Sequence, residues 1–325
     1  MSDTLWPSVS VVIPVLNEAR HLRAAIDAVL AQDYLGALDI CLALGPSTDG
    51  TEVVADSIVQ AHPNISVIPN PSGRTPTGLN AAIRATQGQV VVRVDGHSIL
   101  PRGYVSRAVE TLRRTGAANV GGVQRAVGNS PFEQAVALAM SSPFGMGGAK
   151  FHIGGSEGPV DTVYLGVFDR SSIEEVGLFD ESLTRNQDYE LNVRLRKAGK
   201  IVWFDPELAV EYTPRSSLGS LARQFYEYGA WKRHVLRMHP SSIRPRQAVP
   251  PVALVAIMAS LIAAVWEPSL LAIPASYFGA VIFASTKNGR RNPGITALMI
   301  AVFPTMHLSW AAGFVLSRKT RSSEN

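Results

Sequence analysis

Short apolar runs alternate with helical patterns along the first two thirds of the chain. The run 8–15 is almost continuously apolar, which is typical of a strand buried on both faces of a sheet. Asn17 and Glu18 open a predicted helix whose apolar residues share one face, namely Leu22, Ala25, Ile26 and Val29. Because this order recurs to about Phe204, the sequence predicts βαβ units and an α/β domain with a mostly parallel sheet.

Polar turns follow the ends of the predicted strands. Further strands are predicted at 38–44, 65–68 and 89–94, and helices at 51–61, 79–85 and 189–197. The polar sequences NE, GPSTDGT and DGH come directly after three of the strands. Since parallel strands end at one edge of a sheet and ligands bind there, we predict a binding site at this edge.

Beyond Leu218 the chain becomes more apolar. A helix rich in aromatic residues leads into a basic stretch that ends near Arg246, and uncharged segments follow at 248–266, 268–286 and 293–317. Each approaches the roughly 20 apolar residues that cross a bilayer. The alternative is a set of buried helices, but three such segments in a row are hard to bury in a soluble domain. The predicted organisation is an α/β domain at 1–218, an amphipathic, basic interfacial region at 219–247, two to three transmembrane segments at 248–317 and a basic tail at 318–325.

The basic residues suggest an orientation. The excess of Lys and Arg on the cytoplasmic side places Arg244, Arg246 and the loop 287–291 in the cytoplasm, so the first two segments form a hairpin. Three full crossings would then place the basic tail outside. We therefore expect a hairpin and a third segment that crosses the membrane, is re-entrant or is interfacial, since its Pro304 and His307 would be costly facing lipid.

Charge and composition narrow the setting. The net charge is +4, and the basic residues thicken just before the apolar segments, which favours membrane lipid over nucleic acid as the partner. The N-terminus has no positively charged segment before its short apolar run, so we expect no signal peptide and a cytoplasmic α/β domain on the inner (plasma) membrane. The single Cys41 excludes a disulfide framework within one chain.

Three polar sequences are candidates for chemistry. In RVDGHS, Asp95 and His97 can both address a divalent ion, although an ordinary polar turn is the alternative. Ser47, Thr48 and Asp49 can line a nucleotide site or cap the following helix. Asp188 stands at the predicted start of a helix, where it can be a catalytic base or a cap.

Taken in order, the motifs resemble glycosyltransferase family 2, and among its members the bacterial exopolysaccharide enzymes of the succinoglycan-biosynthesis type. The resemblance runs from about Val9 to Trp231 and rests on SVVIPVLNE, STDGT, NPSGRTPTGLN, RVDGHS and GLFDESLTRNQDYELNVRLRKAG. It implies the GT-A fold, a Rossmann-like nucleotide-diphospho-sugar transferase domain, followed here by C-terminal transmembrane helices.

The resemblance also implies roles for individual residues. Donor-binding positions are Pro14, Asn17, Glu18, Asp49, Arg74, Asn80, Arg93 and Asp95. Asp95 and His97 would hold the metal, and the histidine favours Mn²⁺ over Mg²⁺. Asp188 would be the catalytic base. Acceptor-side positions are Gln187, Gln224, Tyr228 and Trp231, the last of which can equally belong to an aromatic membrane belt.

One departure from the family pattern concerns the nucleotide base. Many relatives have Asp-Asp-Gly ahead of the STDGT turn, where one Asp reads the base, but this chain has Leu44-Gly45-Pro46. Glu18 or a backbone group would have to substitute. A UDP donor therefore does not follow from the family pattern alone, and the expected donor is a nucleotide-sugar of UDP or GDP type.

The main hypothesis is an inverting, metal-dependent glycosyltransferase that moves a sugar to a lipid-linked saccharide or envelope glycolipid at the cytoplasmic membrane face. One alternative is transfer directly to polyprenyl phosphate, which can share nearly all the motifs. A second is a non-catalytic membrane scaffold with a degenerate transferase fold, for which the altered Leu44-Gly45-Pro46 turn gives some reason.

Overall fold

The strands form one eight-stranded sheet. A computed structural model describes residues 6–289 and 292–317 of the chain. The strands are β1 Val9–Val15, β2 Leu38–Leu44, β3 Ile65–Pro69, β4 Val90–Arg93, β5 Asn119–Ala126, β6 Gly158–Pro159, β7 Tyr164–Asp169 and β8 Val202–Tyr212. Their order across the sheet is β3-β2-β1-β4-β7-β5-β8-β6. The pairs β1–β2, β1–β4 and β2–β3 are parallel, whereas β7 is antiparallel to both β4 and β5.

Helices connect the strands and continue beyond the sheet. The first nine are α1 Leu22–Leu30, α2 Thr51–Ala61, α3 Thr75–Ala85, α4 Tyr104–Thr115, α5 Pro131–Met140, α6 Pro143–Met146, α7 Lys150–Ile153, α8 Arg170–Glu175 and α9 Gln187–Lys197. The last four are α10 Leu218–Met238, α11 Pro245–Ala263, α12 Ala272–Asn288 and α13 Pro293–Leu316. The predicted α/β class is confirmed. The parallel arrangement is seen among the first four strands, whereas β7 pairs antiparallel with β4 and β5, and β6 pairs antiparallel with β8.

Helix α1 begins later than the sequence pattern suggests. Its buried face is the predicted one, but the helix starts at Leu22 rather than at Asn17 and Glu18. Asn17 has a left-handed φ of 56°, a conformation that asparagine tolerates better than most residues. The Asn17 and Glu18 amides donate to Ser47 Oγ and Thr51 Oγ1, at 3.0 and 2.8 Å. These bonds to the neighbouring turn hold the two residues outside the helix.

The chain divides into two compact units. The first unit contains the described residues up to Gln124 together with Gly155–Glu211, and the second contains Arg125–Gly154 and the described residues from Tyr212 onward. The second unit thus takes in a segment, Arg125–Gly154, that the sequence pattern left within the α/β domain. Buried apolar side chains fill both sides of the sheet in the first unit, with Val11 and Ile13 on one side and Val12 and Cys41 on the other.

In the second unit, α10 and α13 cross at very short range. A Cβ added to Gly229 would come within 2.0 Å of the Trp310 carbonyl oxygen, and one added to Gly313 within 2.0 Å of the Tyr226 carbonyl oxygen. Only glycine permits the two backbones to approach this closely, as at many helix crossings in membranes. Arg233 of α10 also donates to the Phe314 carbonyl at 3.2 Å. These contacts lock α10 to α13.

Three helices among the described residues are long and apolar enough to cross a membrane. They are Pro245–Ala263, Pro268–Asn288 and Pro293–Leu316, with mean hydropathies of 1.6, 1.5 and 1.5. They match the segments predicted from the sequence to within a few residues. His307 is satisfied inside the unit, since its Nε2 lies 2.9 Å from the Phe144 carbonyl oxygen and its Nδ1 lies 3.2 Å from the Tyr277 hydroxyl.

The basic region before these helices is less exposed than a membrane collar would be. Lys232 is 3% exposed and Trp231 is 9% exposed, so neither is a headgroup-facing belt residue. Both belong to the face of α10 that is buried within the unit, whereas Arg237 on the same helix is exposed. The predicted basic loop at Arg290 and Arg291 and the basic tail at 318–325 lie outside the described residues.

Candidate active site

Two turns at the ends of β1 and β2 are braced against each other. Asn17 Oδ1 accepts a hydrogen bond from the Thr48 amide at 2.8 Å, while the Asn17 amide donates to Ser47 Oγ. Pro14 lies in β1, one residue before its end, and pairs in register with Ala43. The structure therefore brings together the polar turns that follow β1 and β2, as the parallel register of the strands requires.

Asp49 fixes this arrangement from the start of α2. Its Oδ2 accepts from the Ala19 amide at 3.1 Å, and its Oδ1 accepts from the Thr51 amide at 3.1 Å and from Thr51 Oγ1 at 2.5 Å. The Thr51 hydroxyl and the backbone amides of Ala19 and Thr51 lower the pKa of Asp49 below its ordinary value, because they stabilise the carboxylate. Asp49 thus supports the site through its neighbours.

Arg93, at the end of β4, joins two carboxylates from distant parts of the sequence. Its Nε and Nη2 donate to Asp95 Oδ1 at 3.2 and 2.9 Å, and its Nη1 donates to Asp188 Oδ1. The Arg93 side chain is 8% exposed, against 22% for Asp95 and 36% for Asp188. The guanidinium of Arg93 is therefore buried, while the carboxylates of Asp95 and Asp188 remain partly exposed to solvent.

The charges of the two acids hold this arginine in its ionised form. Burial by itself lowers the pKa of Arg93, but the carboxylates of Asp188 and Asp95 outweigh it and raise the pKa above its ordinary value. Asp188 lies in the first turn of α9, whose N-cap Asn186 has a left-handed φ of 61°. The turn before α9 thus brings Asp188 to the end of β4.

Removal of Arg93 should cost stability, because two neighbouring carboxylates would lose their shared counter-charge. We expect Arg93→Met to lower the free energy of unfolding of the detergent-solubilised protein by about 1–3 kcal/mol, with the partial exposure of Asp188 reducing the usual cost of breaking a buried pair. Denaturant unfolding of the two single variants and of the double variant measures this free energy. The double variant, Arg93→Met with Asp188→Asn, should regain part of the stability that Arg93→Met loses.

The surface pair of Arg84 and Glu181 provides the matched control for this prediction. Its atoms are 3.7 Å apart and its side chains are 63% and 43% exposed. Arg84→Met should therefore change stability by less than about 0.5 kcal/mol. An Arg93→Met protein as stable as Arg84→Met would contradict the assignment of Arg93 as the link between the two acids.

His97 is held by Glu18 from the turn after β1. The distance from His97 Nδ1 to Glu18 Oε1 is 2.7 Å, and the His97 side chain is 52% exposed. A carboxylate behind an imidazole is the usual support for a metal-binding histidine, because it fixes the ring and raises its basicity. Glu18 therefore has a role as the orienting partner of His97.

A divalent ion at Asp95 and His97 would need further ligands. Asp95 and His97 supply one carboxylate and one imidazole, and no group of three His, Cys, Asp or Glu side chains within residues 6–289 and 292–317 is arranged to hold a metal. Carboxylate with imidazole suits Mn²⁺ as well as harder ions. The remaining positions would have to come from phosphate oxygens of a bound nucleotide and from water.

Arg74 and Asn80 hold the segment that leads to Asp188. Arg74 immediately precedes α3, and its guanidinium donates to the Ser182 carbonyl at 3.0 Å. Asn80 is 2% exposed, donates to the Phe179 carbonyl and to Glu181 Oε1 at 2.8 Å each, and accepts from the Phe179 amide at 3.0 Å. Asn80 thus ties α3 to the segment that leads to Asp188, and its place near the bound donor stays a prediction.

Tyr164 and Glu52 are site candidates that the sequence patterns did not indicate. Burial raises the pKa of the Tyr164 hydroxyl, and the nearby carboxylate of Asp95 adds to the shift. Glu52 is the carboxylate among the residues that line a surface cavity of about 390 Å³ at the ends of β2 and β3, together with Gly45 and Pro46. An aromatic residue in a strand and an acid on a helix carry no motif, so only the tertiary structure could identify them.

The predicted acceptor-side residues belong to different units. Gln187 is buried in the first turn of α9 in the first unit. Gln224, Tyr228 and Trp231 lie on α10 in the second unit. Gln224 Nε2 donates to the Tyr228 hydroxyl at 3.0 Å and to the Tyr212 hydroxyl at 2.9 Å, so the predicted shared face of Gln224 and Tyr228 is present.

The sequence of this chain is similar to a known family profile and to several named proteins. The sequence profile described as "Glycosyl transferase family 2" matches residues 10–177. The succinoglycan biosynthesis protein ExoA of Rhizobium meliloti (strain 1021) is 32% identical over 321 residues, which are 96% of each chain. A dolichyl N-acetyl-alpha-D-glucosaminyl phosphate 3-beta-D-2,3-diacetamido-2,3-dideoxy-beta-D-glucuronosyltransferase of Methanococcus voltae is 26% identical and covers 70% of this chain and 74% of its own length.

A solved structure has the same fold. The mannosyltransferase PcManGT from Pyrobaculum calidifontis, in complex with GDP-Man and Mn²⁺, superposes with a TM-score of 0.64 at 20% sequence identity. The superposition covers 93% of this chain and 88% of that one. At this level of identity the likeness concerns the fold.

Proposed function

The chain belongs to glycosyltransferase family 2, and from that premise we propose that it is an inverting, metal-dependent enzyme that transfers one sugar from a nucleotide-sugar to a lipid-linked saccharide or envelope glycolipid. Its GT-A fold and its homologues make it a glycosyltransferase. The proposal concerns the direction of attack, the metal and the acceptor.

The observation that carries the proposal is the shared contact of Asp95 and Asp188 with Arg93. Asp95 and Asp188 are 93 positions apart in the sequence (188 − 95). Both nevertheless accept hydrogen bonds from the buried guanidinium of Arg93. A donor-side acid and a base must lie close together for a hydroxyl to attack a bound sugar. The arrangement supports a transferase site with these two acids in separate roles.

Asp188 is the proposed general base. Its carboxylate is the more exposed of the two acids on Arg93, so it can reach an acceptor hydroxyl. It takes the hydroxyl proton as the oxygen attacks the anomeric carbon, and the new C–O bond forms as the bond to the nucleotide diphosphate breaks. Attack from the face opposite the leaving group inverts the anomeric centre.

Asp95 and His97 are proposed to hold the divalent ion, with Glu18 fixing the His97 ring. When bound, the ion neutralises charge on the departing diphosphate, so no side chain has to protonate it. The imidazole favours Mn²⁺ over Mg²⁺, and the presence of Mn²⁺ in the structure of the mannosyltransferase PcManGT is consistent with that preference. The nucleotide is UDP or GDP, with Glu52 and the backbone of the Gly45-Pro46 turn as candidates to read its base.

The membrane helices favour a lipid-borne acceptor at the cytoplasmic face of the plasma membrane. Three apolar helices follow the transferase fold, and the Methanococcus voltae relative is named for a dolichyl phosphate sugar. The same observation leaves direct transfer to polyprenyl phosphate as the second candidate, because that acceptor also lies in the membrane.

Donor profiling tests the proposal. With the full chain purified in detergent and a panel of UDP-, GDP- and dTDP-sugars, we expect hydrolysis or transfer from one donor class with Mn²⁺. Chelation by EDTA should remove at least about 99% of it, in keeping with the several kcal/mol that a metal supplies at a departing phosphate. Polyprenyl phosphate and polyprenyl diphosphate-sugar, supplied as alternative acceptors, separate the two candidates. No metal-dependent turnover with any donor would favour the scaffold hypothesis.

A further inference from the structure

A glycine-rich segment at residues 140–155 has no role in the proposed transferase site. The sequence MSSPFGMGGAKFHIGG occupies residues 140–155. Gly147, Gly148 and Gly154 have φ values of 59°, 78° and 77°, which other residues rarely adopt. A Cβ on Gly147 would lie 3.0 Å from Arg246 Cβ, whereas one on Gly148 would have no atom of the described part of the chain within 4 Å. The segment therefore passes close to Arg246 and leaves open space beside it.

His152 is a buried polar side chain in this segment. It is 8% exposed, and its Nδ1 has no hydrogen-bond partner among residues 6–289 and 292–317. Burial and, to a smaller extent, the positive charge of Arg246 together lower the pKa of His152 to about 3. The imidazole is therefore neutral near pH 7 and can offer an N–H to an incoming acceptor group. An unsatisfied nitrogen at this depth costs free energy unless a ligand completes it.

Arg246 stands where a membrane helix leaves the apolar layer. It is the second residue of α11, whose candidate span is Pro245–Ala263. The outward residues Val249 and Val252 of that helix are 64% and 65% exposed, as lipid-facing positions would be. An arginine at the end of such a helix lies at the depth of lipid phosphates.

The turn before α11 is fixed by a buried lysine. Lys232 Nζ donates to the Ser242 carbonyl at 3.3 Å, and Ser242 precedes Arg246 by four residues. Lys232 thereby adds a positive charge to the region and ties α10 to the start of α11. The site for an anion is consequently built before any ligand arrives.

We propose that the glycine-rich segment, His152 and Arg246 bind the phosphate or diphosphate group of the lipid-linked acceptor. Arg246 supplies charge-assisted hydrogen bonds, the His152 imidazole supplies a neutral one, and the glycines allow backbone amides to approach the phosphate oxygens. The inference deepens the proposed function, on which its choice of a lipid-linked acceptor rests. The site selects acceptors by their phosphate group, independently of the sugar that they carry.

Binding of farnesyl diphosphate to the full chain in detergent tests this inference. We expect binding by titration calorimetry, with Arg246→Gln weakening it at least about tenfold, the loss of one charge-assisted contact. His152→Phe should weaken it several-fold, and Arg246→Lys should bind better than Arg246→Gln. Arg237→Gln is the matched control, because Arg237 is an exposed residue of the same basic region. It should bind like the unchanged protein.

Two further probes identify the source of the phosphate. Farnesol, which has the same chain without phosphate, should not bind, and inorganic diphosphate should bind much more weakly than farnesyl diphosphate. Equal binding of inorganic diphosphate, or equal competition by phosphatidylglycerol, would overturn the assignment to a lipid-linked acceptor. Binding that is unchanged in both Arg246→Gln and His152→Phe would overturn the site itself.

The outcome is separable from that of the proposed function. Nucleotide binding and metal-dependent donor hydrolysis report on the transferase site and need no lipid. If these persist in a protein that does not bind farnesyl diphosphate, the lipid-phosphate site is wrong and the transferase proposal stands. If farnesyl diphosphate binds but no donor is turned over, the reverse holds. The far-UV circular dichroism spectrum of Arg246→Gln should match that of the unchanged protein, which establishes that the variant is folded.

Discussion

Asp188→Asn should reduce sugar transfer by about 10²–10⁴-fold, the usual contribution of a positioned general base. The amide keeps the size of the carboxylate and can still accept a hydrogen bond from Arg93, but it cannot take the proton of the acceptor hydroxyl. The loss should fall on kcat, with donor affinity nearly unchanged, because Asp188 contacts the reacting hydroxyl rather than the diphosphate. Steady-state kinetics with the donor identified by profiling measure both quantities.

The fold of this variant should survive. Asp188 is in the first turn of α9, where a negative charge contributes about 0.3–1 kcal/mol through the helix dipole. Its partial exposure limits the value of its pair with Arg93. Asp56→Asn, an exposed change of the same kind on α2, is the control for activity and stability. Retention of more than about a tenth of the activity would assign the base elsewhere, and loss of folding would favour the role of a helix-terminal charge.

Asp95→Asn should lower kcat/KM by about 10²–10³-fold, because it removes the charged ligand of the proposed metal site. In contrast to Asp188→Asn, this change should also weaken nucleotide binding, since Asp95 and the diphosphate would share the ion. With only two side-chain donors in the set, Mn²⁺ should bind weakly to the free protein and tightly in the presence of the nucleotide. Paramagnetic resonance of Mn²⁺ titrated with and without UDP or GDP measures this coupling directly.

His97→Gln and Glu18→Gln test the same metal site and should have effects of different size. The first removes a ligand and should approach the effect of Asp95→Asn, whereas the second removes only the support of the His97 ring and should cost about 10–100-fold. Asp56→Asn again serves as the unaffected control. Nucleotide-dependent Mn²⁺ binding that is undiminished in both Asp95→Asn and His97→Gln would remove these residues from the metal site.

Both predictions depend on side chains that the sequence had already singled out, but their connection was not visible there. The turns after β1, β2 and β4 were expected to meet because parallel strands end at one edge. The guanidinium of Arg93 beneath Asp95 and Asp188 required the folded chain, since nothing in RVDGHS indicates that the arginine turns toward α9. For the same reason the sequence did not show that Asn80 hydrogen-bonds to Phe179 and Glu181, residues about 100 positions away.

The sequence by itself determined the α/β class, the first strands and their helices, the polar edge of the sheet and the three apolar helices. These features follow from local periodicity and from the length of apolar runs, which are properties of neighbouring residues. Only the tertiary structure decided that residues 125–154 join the second unit, that Lys232 and Trp231 are buried and that Gly147 lies against Arg246. These are contacts between residues far apart in the chain, and they depend on which faces pack together, a choice that no single segment encodes.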